Sequence, residues 1–309
     1  MTTKSKADMK GSAKSSFHNL NKSSDTKQTV SDIITNLIIE KLEAGCVPWR
    51  KPWNSTGGAK NLITNKPYRG VNQFILNCYG TSQYYATFKQ VQDKKGTIKK
   101  GSKSIPICFY SMAETTDRTT GEDTTIPILR FYRVFSFDDI LGIPVPVQEA
   151  TTREFNPIEE AERIVKNMPF LPEIKAGGSK AYYSPSLDYI GMPESKLFHT
   201  DAEYYSTLNH ELIHATGHSS RLNRSSVVKT AHYGSSEYSR EELIAECGAS
   251  MLNAHAGIVN SVIDNSAAYI QGWLKVLKSK DNKGLIITAA SAGQKACDYI
   301  LNVPAYTEA

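Results

Sequence analysis

The residues best suited to chemistry lie in the segment His210–His214, which reads His-Glu-Leu-Ile-His. Residues four apart lie one above the other on one face of an α-helix, so both imidazoles can bind a single cation. Glu211 points to one side, close to the metal but not bound to it, where its carboxylate can accept a proton from a water molecule. The spacing therefore predicts a metal-dependent hydrolase with zinc as the cation, and Mn²⁺ or another divalent metal as the alternative.

A catalytic zinc site needs a third protein ligand and an open fourth position. A second amphipathic helix is predicted to begin near Ser239, and Glu242 and Glu246 share one of its faces, one turn apart. We predict that Glu242 is the third ligand and that Glu246 holds a ligand imidazole in place. The neighbouring Glu241 is expected to be solvated. Glu242 can also be read as the capping-box partner of Ser239, without any metal.

Two other residues stay open as the third ligand. His218 continues the four-residue ladder, but His210 to His218 spans eight residues, about 12 Å of unbroken helix, which is too far for one ion. His218 could contribute only if the chain turned back at Gly217. Glu246 is the other alternative.

A peptidase also needs a hydrogen-bond donor, besides the metal, for the oxyanion of its transition state. The segment between the two helices offers His232, Tyr233 and Tyr238. We choose Tyr233 for this role.

The helix that positions the two histidines is marked at both ends. Thr200 followed by Glu203 forms a capping box, and Gly217 supplies a stop. A short strand at Ala181–Ser184 is expected beside this helix, where a substrate backbone can pair with it. Other elements are predicted over longer segments: a helix from Thr29 to Gly45, a helix opening within Tyr84–Gln90, strands at Ile105–Tyr110 and Ile126–Phe137, and helices at Ile158–Asn167, Ser266–Lys278 and Leu285–Leu301, the last two behind the site.

Charge divides the chain into two unlike halves. Residues 1–150 carry 21 Lys and Arg against 13 Asp and Glu, a net charge of +8, whereas residues 151–309 carry 15 against 18, a net charge of −3. Within Lys41–Lys103 there are 12 basic residues and two acidic ones. The first half is therefore expected to bind a polyanion.

Aromatic residues are interleaved with these cations, a composition that suits single-stranded nucleic acid. Cations follow the phosphates, and rings stack on unpaired bases at about 1–3 kcal/mol per base. The alternative is that the rings belong to the core and the basic loop is a solvated face. The residues predicted to bind DNA are Trp49, Arg50, Lys51, Trp53, Lys66, Tyr68, Arg69, Lys89, Lys99, Lys100 and Lys103, and Tyr84, Tyr85 and Phe88 are further stacking candidates.

Cysteine usage and hydropathy bear on the compartment. The five cysteines form no C-x-x-C pair and are odd in number, which fits a reducing compartment. No run approaches 18 apolar residues, and the N-terminus has no apolar signal segment. We expect a cytoplasmic protein that does not span a membrane.

The ordered motifs resemble the ArdC family of antirestriction proteins of plasmids and other mobile elements. In the first half the resemblance rests on Pro48–Trp53, Asn65–Asn72, Thr87–Gln90 and Lys100-Gly101. In the second half it rests on Tyr182–Pro185, Asp188, Met192-Pro193, His210–His218, Arg221-Leu222 and Glu241–Glu246. The resemblance covers nearly everything after the polar N-terminal tail.

The resemblance implies an α+β protein with two domains and a role in protecting incoming DNA from host restriction. Residues 29–145 would form an α+β domain that binds single-stranded DNA. Residues 158–309 would form a mainly helical, zincin-like metallopeptidase domain with a small sheet and the gluzincin-like ligand set His, His, Glu. Residues 1–28 are expected to be a disordered tail, and residues 146–157 a linker.

Three functions stay open on the sequence. The first is a DNA-binding antirestriction protein with a metal-dependent peptidase domain. The second is a DNA-tethered protease that cleaves a repressor or a protein on DNA. The third is a DNA-binding protein whose metal site is purely structural. Neither the protein substrate nor the oligomeric state follows from the sequence.

Overall fold

The computed structural model describes residues 28–49, 58–116, 123–145, 156–228, 235–258, 267–279, 282 and 284–303. The predicted tail lies outside these residues except for Gln28, and so does residue range 146–155 of the predicted linker. Arg50, Lys51, Trp53, His232 and Tyr233 also lie outside them.

Helices and small sheets alternate along the described chain, which confirms the predicted α+β class. The helices are α1 (Val30–Glu43), α2 (Val71–Tyr79), α3 (Phe88–Asp93), α4 (Pro157–Asn167), α5 (Asp201–Ala215), α6 (Ser225–Val228), α7 (Ser236–His255), α8 (Ala267–Lys278) and α9 (Leu285–Ile300). The strands are β1 (Lys60–Asn61), β2 (Tyr84–Thr87), β3 (Thr97–Ile98), β4 (Ile105–Thr116), β5 (Asp123–Ser136), β6 (Ile140–Leu141), β7 (Glu173–Ala176), β8 (Tyr182–Ser184) and β9 (Tyr189–Met192).

Three small sheets form from these strands. The first half contains a sheet in the order β1-β2-β5-β4, in which β4 and β5 form a long antiparallel pair, and the pair β3-β6. The second half contains the sheet β7-β9-β8, with β7 parallel and β8 antiparallel to β9. The predicted strand at Ala181–Ser184 is therefore present as β8, and β8 is an edge strand.

Helix α1 shows how local sequence sets the N-terminal element. The Thr29 side chain accepts a hydrogen bond from the Asp32 amide, and the Asp32 carboxylate accepts one from the Thr29 amide. This capping box satisfies amides that would otherwise lack partners at the helix start. The stripe that α1 buries includes Ile34, Ile38 and Leu42. The predicted helix is confirmed.

The segment Tyr84–Gln90 differs from its prediction. Tyr84–Thr87 is strand β2, paired with both β1 and β5, and α3 begins only at Phe88. Tyr84, Tyr85 and Ala86 are all buried, which a central strand allows because it is covered on both faces. Thr87 caps α3 through a capping box with Gln90, so the switch from strand to helix is encoded locally.

One hydrophobic cluster runs through both halves of the chain. Helix α9 packs against α7 and α5 and also against α1 and α2, while α8 packs mainly against α1. The expectation that both C-terminal helices lie behind the metal helix is therefore correct for α9 and wrong for α8. α9 can approach α7 closely because two glycines meet at the crossing: a Cβ added to Gly293 would lie 2.8 Å from the amide nitrogen of Gly248.

Among the described residues, none of the helices is both long and apolar enough to cross a bilayer.

Candidate metal centre and nucleic-acid interface

Helix α5 brings the two histidines together. Thr200 accepts a hydrogen bond from the Glu203 amide at 3.2 Å and so fixes the helix start. The His210 and His214 rings lie one turn apart on the same face, and their Nε2 atoms are 3.1 Å from each other. Both lone pairs can therefore converge on one point.

Glu242 completes a triangle with these nitrogens. Its Oε2 lies 3.5 Å from His210 Nε2, and its Oε1 lies 3.6 Å from His214 Nε2. Ligands at about 2.1 Å from a tetrahedral ion are separated by about 3.4 Å, because an edge of a tetrahedron is 1.63 times the centre-to-vertex distance. Each nitrogen thus lies at about this separation from one of the two Glu242 oxygens, and one ligand atom from each of the three residues lies within 4.8 Å of the other two. The same three residues form the cluster that could hold a metal ion among the described parts of the chain.

Glu211, the residue after His210 on α5, is buried, with 8% exposure, and its charge acts on His210. Burial alone would lower the pKa of His210, but the hydrogen bond to Glu242 and the charges of Glu246 and Glu211 raise that pKa to about 9. The negative charges of Glu211, Glu242 and Glu246 therefore favour a positive charge at the position of His210. A divalent cation meets the same electrostatic demand.

The carboxylate that contacts the His214 imidazole is Glu241, which we predicted to be solvated; that prediction is wrong. Glu241 is 6% exposed, and its Oε1 lies 3.3 Å from His214 Nδ1. A hydrogen bond from Nδ1–H leaves the Nε2 lone pair free for a metal. Glu246, which we expected in this role, influences His210 through its charge. On α7, Glu242 faces the Nε2 atoms of the two imidazoles, and its neighbour Glu241 faces Nδ1, on the other side of the His214 ring.

Arg224 holds Glu241 in place. Its guanidinium donates to both Glu241 oxygens, at 2.6 Å from Nη2 and 3.1 Å from Nε, and the Ser226 hydroxyl donates at 2.6 Å. Burial alone would raise the pKa of Glu241, but the hydrogen bonds from His214 and Arg224 lower it to about 2. Glu241 is therefore ionised at any physiological pH.

The same guanidinium closes the C-terminal end of α5. Arg224 donates to the Ile213 carbonyl at 2.7 Å and to the Thr216 hydroxyl at 2.6 Å. Gly217 leaves room for it, because an added Cβ would lie 3.0 Å from the guanidinium and 2.4 Å from Val227. The sequence gives no periodic signal for Arg224, since its partners come together only in the folded chain.

His218 belongs to a different cluster. Its Nδ1 lies 2.8 Å from Ser220 Oγ and 3.9 Å from an oxygen of Asp188. Asp188 also accepts hydrogen bonds from Arg221 and from the Tyr183 hydroxyl. The metal cluster of the described residues does not include His218, which favours Glu242 over His218 as the third ligand.

Of the oxyanion candidates, Tyr233 and His232 lie outside the described residues. Tyr238 lies in the first turn of α7. Burial alone would raise the pKa of Glu242, but hydrogen bonds from His210 and Tyr238 and the charges of both histidines lower it. Tyr238 thus contacts a predicted metal ligand.

The predicted stacking residues Trp49 and Tyr68 belong to the core. Trp49 is 1% exposed; its indole packs edge-on against Trp273 at 5.7 Å and donates to the Tyr269 hydroxyl at 3.3 Å. Tyr68 is 5% exposed. A ring covered on both faces cannot stack on a base. The predicted stacking role is therefore wrong for Trp49 and for Tyr68, whose ring is almost entirely buried. Tyr84 and Tyr85 are buried too, whereas Phe88 is 54% exposed.

Most of the predicted phosphate-binding cations do face solvent. Lys66, Lys89, Lys99, Lys100 and Lys103 are exposed. Arg69 is partly exposed and pairs with Asp298 of α9.

Exposed aromatic rings occur at positions that the sequence did not single out. Phe109 and Tyr132 are 37% and 40% exposed and pack edge-on with ring centroids 5.7 Å apart on the β4–β5 pair. Tyr110 is 42% exposed. Strand periodicity could have placed them on a surface, but an alternating pattern does not show which face of a two-stranded ribbon stays uncovered.

Comparison with known proteins follows the same division of the chain. Residues 28–135 match the model described as the N-terminal domain of anti-restriction factor ArdC, and residues 159–292 match the model described as zincin-like metallopeptidase. Fold and site thus define a two-domain protein in which a zincin-like domain follows an N-terminal domain of the anti-restriction type. The chain belongs to the ArdC family.

Relatives and solved structures agree with this membership. The chain is 33% identical over 297 residues to protein y4eC of Sinorhizobium fredii, covering 89% of this chain and 93% of that protein. It is 32% identical over 301 residues to the DNA primase TraC of Escherichia coli, covering 90% of this chain but only 20% of the primase. It therefore spans about a fifth of that relative's length.

Two crystal structures of the antirestriction ArdC protein from the R388 plasmid are similar to this chain. The metal-free structure is 36% identical, has a TM-score of 0.70, and covers 88% of this chain and 97% of that one. The Mn(II)-bound structure is 34% identical, has a TM-score of 0.70, and covers 89% and 98%.

Proposed function

We propose that this chain is a single-stranded DNA-binding antirestriction protein whose second half is a metal-dependent peptidase, with zinc as the metal. The observation that carries the peptidase proposal is the cluster of His210, His214 and Glu242, with the buried Glu211 next to His210 on the same helix. The solved relative named as antirestriction ArdC, which also has an Mn(II)-bound structure, supports the biological role and the use of a divalent cation.

The donor set fits a divalent metal. Two imidazole nitrogens and one carboxylate, at the spacing of a tetrahedral site, are the ligands of catalytic zinc. When bound, the cation supplies Lewis acidity toward a water molecule and toward a peptide carbonyl oxygen. His210, His214 and Glu242 would hold it, and Glu241 would keep the His214 ring in the correct tautomer.

Glu211 performs the proton transfers in this proposal. Its carboxylate accepts the proton of the attacking water and then delivers it to the leaving amine nitrogen. Burial supports the role, because a carboxylate shielded from bulk water exchanges its proton with the substrate rather than with solvent.

The number of ligands favours catalysis over a structural metal site. Structural zinc sites usually have four protein ligands, and catalytic sites have three. The described residues bring three together, and a further carboxylate, Glu211, lies beside them. β8 contacts α5, and none of the described strands pairs with its outer edge, so an extended peptide can lie along that edge.

The DNA-binding proposal is supported by charge and by exposed rings in the first half. A net charge of +8 over residues 1–150 attracts phosphates. Phe109, Tyr110 and Tyr132 give the surface apolar faces on which unpaired bases can stack. This replaces the buried Trp49 and Tyr68 as stacking groups.

A DNA-tethered protease is the second candidate. The observation that favours it is the position of α9, which packs against α7 of the metal centre and against α1 and α2 of the basic half. A protein bound to the same DNA would then be delivered to the peptidase.

Glu211→Gln separates these functions, because it keeps the side-chain shape and the metal ligands but removes the base. We expect normal metal content and DNA binding and loss of peptide hydrolysis. Protection is then measured as transfer of unmodified plasmid into a restricting host. Protection that survives Glu211→Gln assigns antirestriction to DNA binding; protection that disappears makes proteolysis part of it.

DNA preference is tested on the purified chain with a single strand and its duplex. We expect tighter binding to the strand, little dependence on sequence, and an affinity that falls with salt. Equal affinity for strand and duplex, or binding insensitive to salt, would contradict the DNA-binding half of the proposal.

A further inference from the structure

A cavity of about 910 Å³ lies where the first half of the chain meets helix α9. One wall comes from the loop at Lys66–Gly70, the start of α2 and residues 108–110 of β4. The opposite wall comes from α9, through Gln294, Lys295 and Asp298 among others. The predicted metal ligands are not among its described lining residues, so this is a second site.

The cavity has a positive electrostatic balance. Among the described lining residues, Lys66, Arg69 and Lys295 are positively charged and Asp298 is the one carboxylate. Asp298 accepts hydrogen bonds from Arg69 and, at 3.1 Å, from Gln294. The net positive charge of these residues favours an anionic occupant.

Aromatic rings lie beside these cations. Phe109 and Tyr110 line the cavity and keep 37% and 42% of their surface exposed. Tyr132 continues the Phe109 ring along the β4–β5 pair, with 5.7 Å between centroids. Cations next to exposed rings match the two parts of a nucleotide, its phosphate and its base.

The dimensions and the chemistry favour an unpaired strand over other occupants. The volume is near the upper end of the roughly 300–1,000 Å³ found for enclosed ligand sites, which leaves room for more than one planar group. A duplex keeps its bases stacked on one another and offers them to no protein ring. A neutral peptide would gain nothing from the lysines.

We propose that a segment of single-stranded DNA binds in this cavity, with bases on Phe109 and Tyr110 and phosphates near Lys66 and Lys295. Helix α9 of the zincin-like half then forms one wall of the DNA site, which is therefore shared between the two halves. This inference rests on the proposed single-stranded DNA binding and assigns it a place. The sequence-based prediction confined that binding to residues 29–145.

Lys295 distinguishes this proposal from a DNA site formed by residues 29–145 alone, because such a site would not contain Lys295. Lys295→Gln in the full chain removes one cation from α9. Lys275→Gln is the matched control, since Lys275 is also an exposed lysine on a C-terminal helix but does not line the cavity. Phe109→Leu tests stacking while it keeps an apolar group against Tyr68.

Affinity is measured by fluorescence anisotropy with a labelled oligothymidine strand over a range of salt concentrations. We expect Lys295→Gln to weaken binding several-fold and to reduce the salt slope by about 0.7, the value for one lost phosphate contact on a single strand. Phe109→Leu should weaken binding at least about fivefold, since stacking is worth about 1–3 kcal/mol per base. Lys275→Gln should bind like the unmodified chain.

Failure of this inference and failure of the proposed function give different results. If the unmodified chain binds the strand while Lys295→Gln and Phe109→Leu both match Lys275→Gln, the cavity is not the DNA site and DNA binding stands. If the unmodified chain does not bind the strand, the proposed function itself is wrong. If Lys295→Gln impairs peptide hydrolysis but not DNA binding, the cavity holds peptide and the inference is overturned.

Discussion

Glu241→Gln is the substitution that most directly tests how the metal centre is built. Gln keeps the length and shape of the side chain but carries no charge. Glu241 is 6% exposed and accepts hydrogen bonds from His214, Arg224 and Ser226. The change leaves the Arg224 guanidinium, itself 11% exposed, without its carboxylate, and it weakens the hold on the His214 ring.

The magnitude follows from the pKa. Burial alone would raise the pKa of Glu241, but hydrogen bonds from His214 and Arg224 lower it from the ordinary 4.5 to about 2. A shift of that size corresponds to about 3 kcal/mol of folding stability at neutral pH. The estimate agrees with the roughly 3–5 kcal/mol lost when one member of a buried ion pair is removed. Loss of an orienting hydrogen bond should also weaken metal binding by about 10- to 100-fold.

The pH dependence has a definite sign. The folded-state pKa of Glu241 is depressed, so its contribution is present above the unfolded value of 4.5 and is lost as the pH falls toward about 2. The stability difference between the unmodified chain and Glu241→Gln should therefore be largest at neutral pH and shrink below pH 4.5.

The assay is urea unfolding in the presence of a chelator at several pH values, with metal titration as a second measurement. Glu114→Gln, at an exposed carboxylate on β4 outside the metal centre, is the control and should change stability by no more than about 0.5 kcal/mol. A stability difference that stays constant between pH 4.5 and 2 would refute the electrostatic reasoning. Unchanged metal affinity in a folded Glu241→Gln protein would refute the orienting role.

Three further predictions follow from other contacts. Glu211→Gln should bind one divalent metal per chain by elemental analysis yet lose peptide hydrolysis by about 10²-fold or more, whereas residual activity near the normal rate would remove Glu211 as the base. Because the pKa of metal-free His210 is raised to about 9, metal binding near pH 7 should release about one proton, and metal affinity should rise with pH up to about 9. In calorimetry the proton release appears as a binding heat that varies with the ionisation enthalpy of the buffer. A binding heat that is the same in all buffers would contradict this prediction. Gly293→Ala should cost about 1–3 kcal/mol in urea unfolding because its Cβ would meet the Gly248 amide at 2.8 Å, while Gly272→Ala, whose Cβ meets nothing within 4 Å, should stabilise α8 by about 0.5–1 kcal/mol.

Features that depend on a single helix could be predicted from the sequence. His210 and His214 lie on one helix, so their convergence depends only on the regular geometry of that helix. The boundaries of α1 and α4 follow in the same way from capping residues and apolar periodicity. For these features, the sequence of a single helix was sufficient for the prediction.

The aromatic residues of the first half required the folded chain. Trp49 occurs in a basic, proline-rich segment that resembles an exposed binding loop, yet it is buried against Tyr269 and Trp273 from α8. Its partners lie more than 200 residues away along the chain. Conversely, Phe109 and Tyr132 look like ordinary strand residues, yet the described chain leaves 37% and 40% of their surfaces exposed.

Residue type and spacing within single helices were enough to predict His210 and His214 as metal ligands, Glu211 as the base and Glu242, on a second helix, as the third ligand. Which carboxylate contacts His214, and what holds that carboxylate, depends instead on how separate elements pack. Glu241 and Glu242 are adjacent, so their directions differ by about 100° around the helix, and the phase of α7 against α5 alone selects which one faces the metal. Arg224 reaches Glu241 because Gly217 leaves space at the end of α5. That space arises from packing between separate elements, and no periodicity within one of them encodes it.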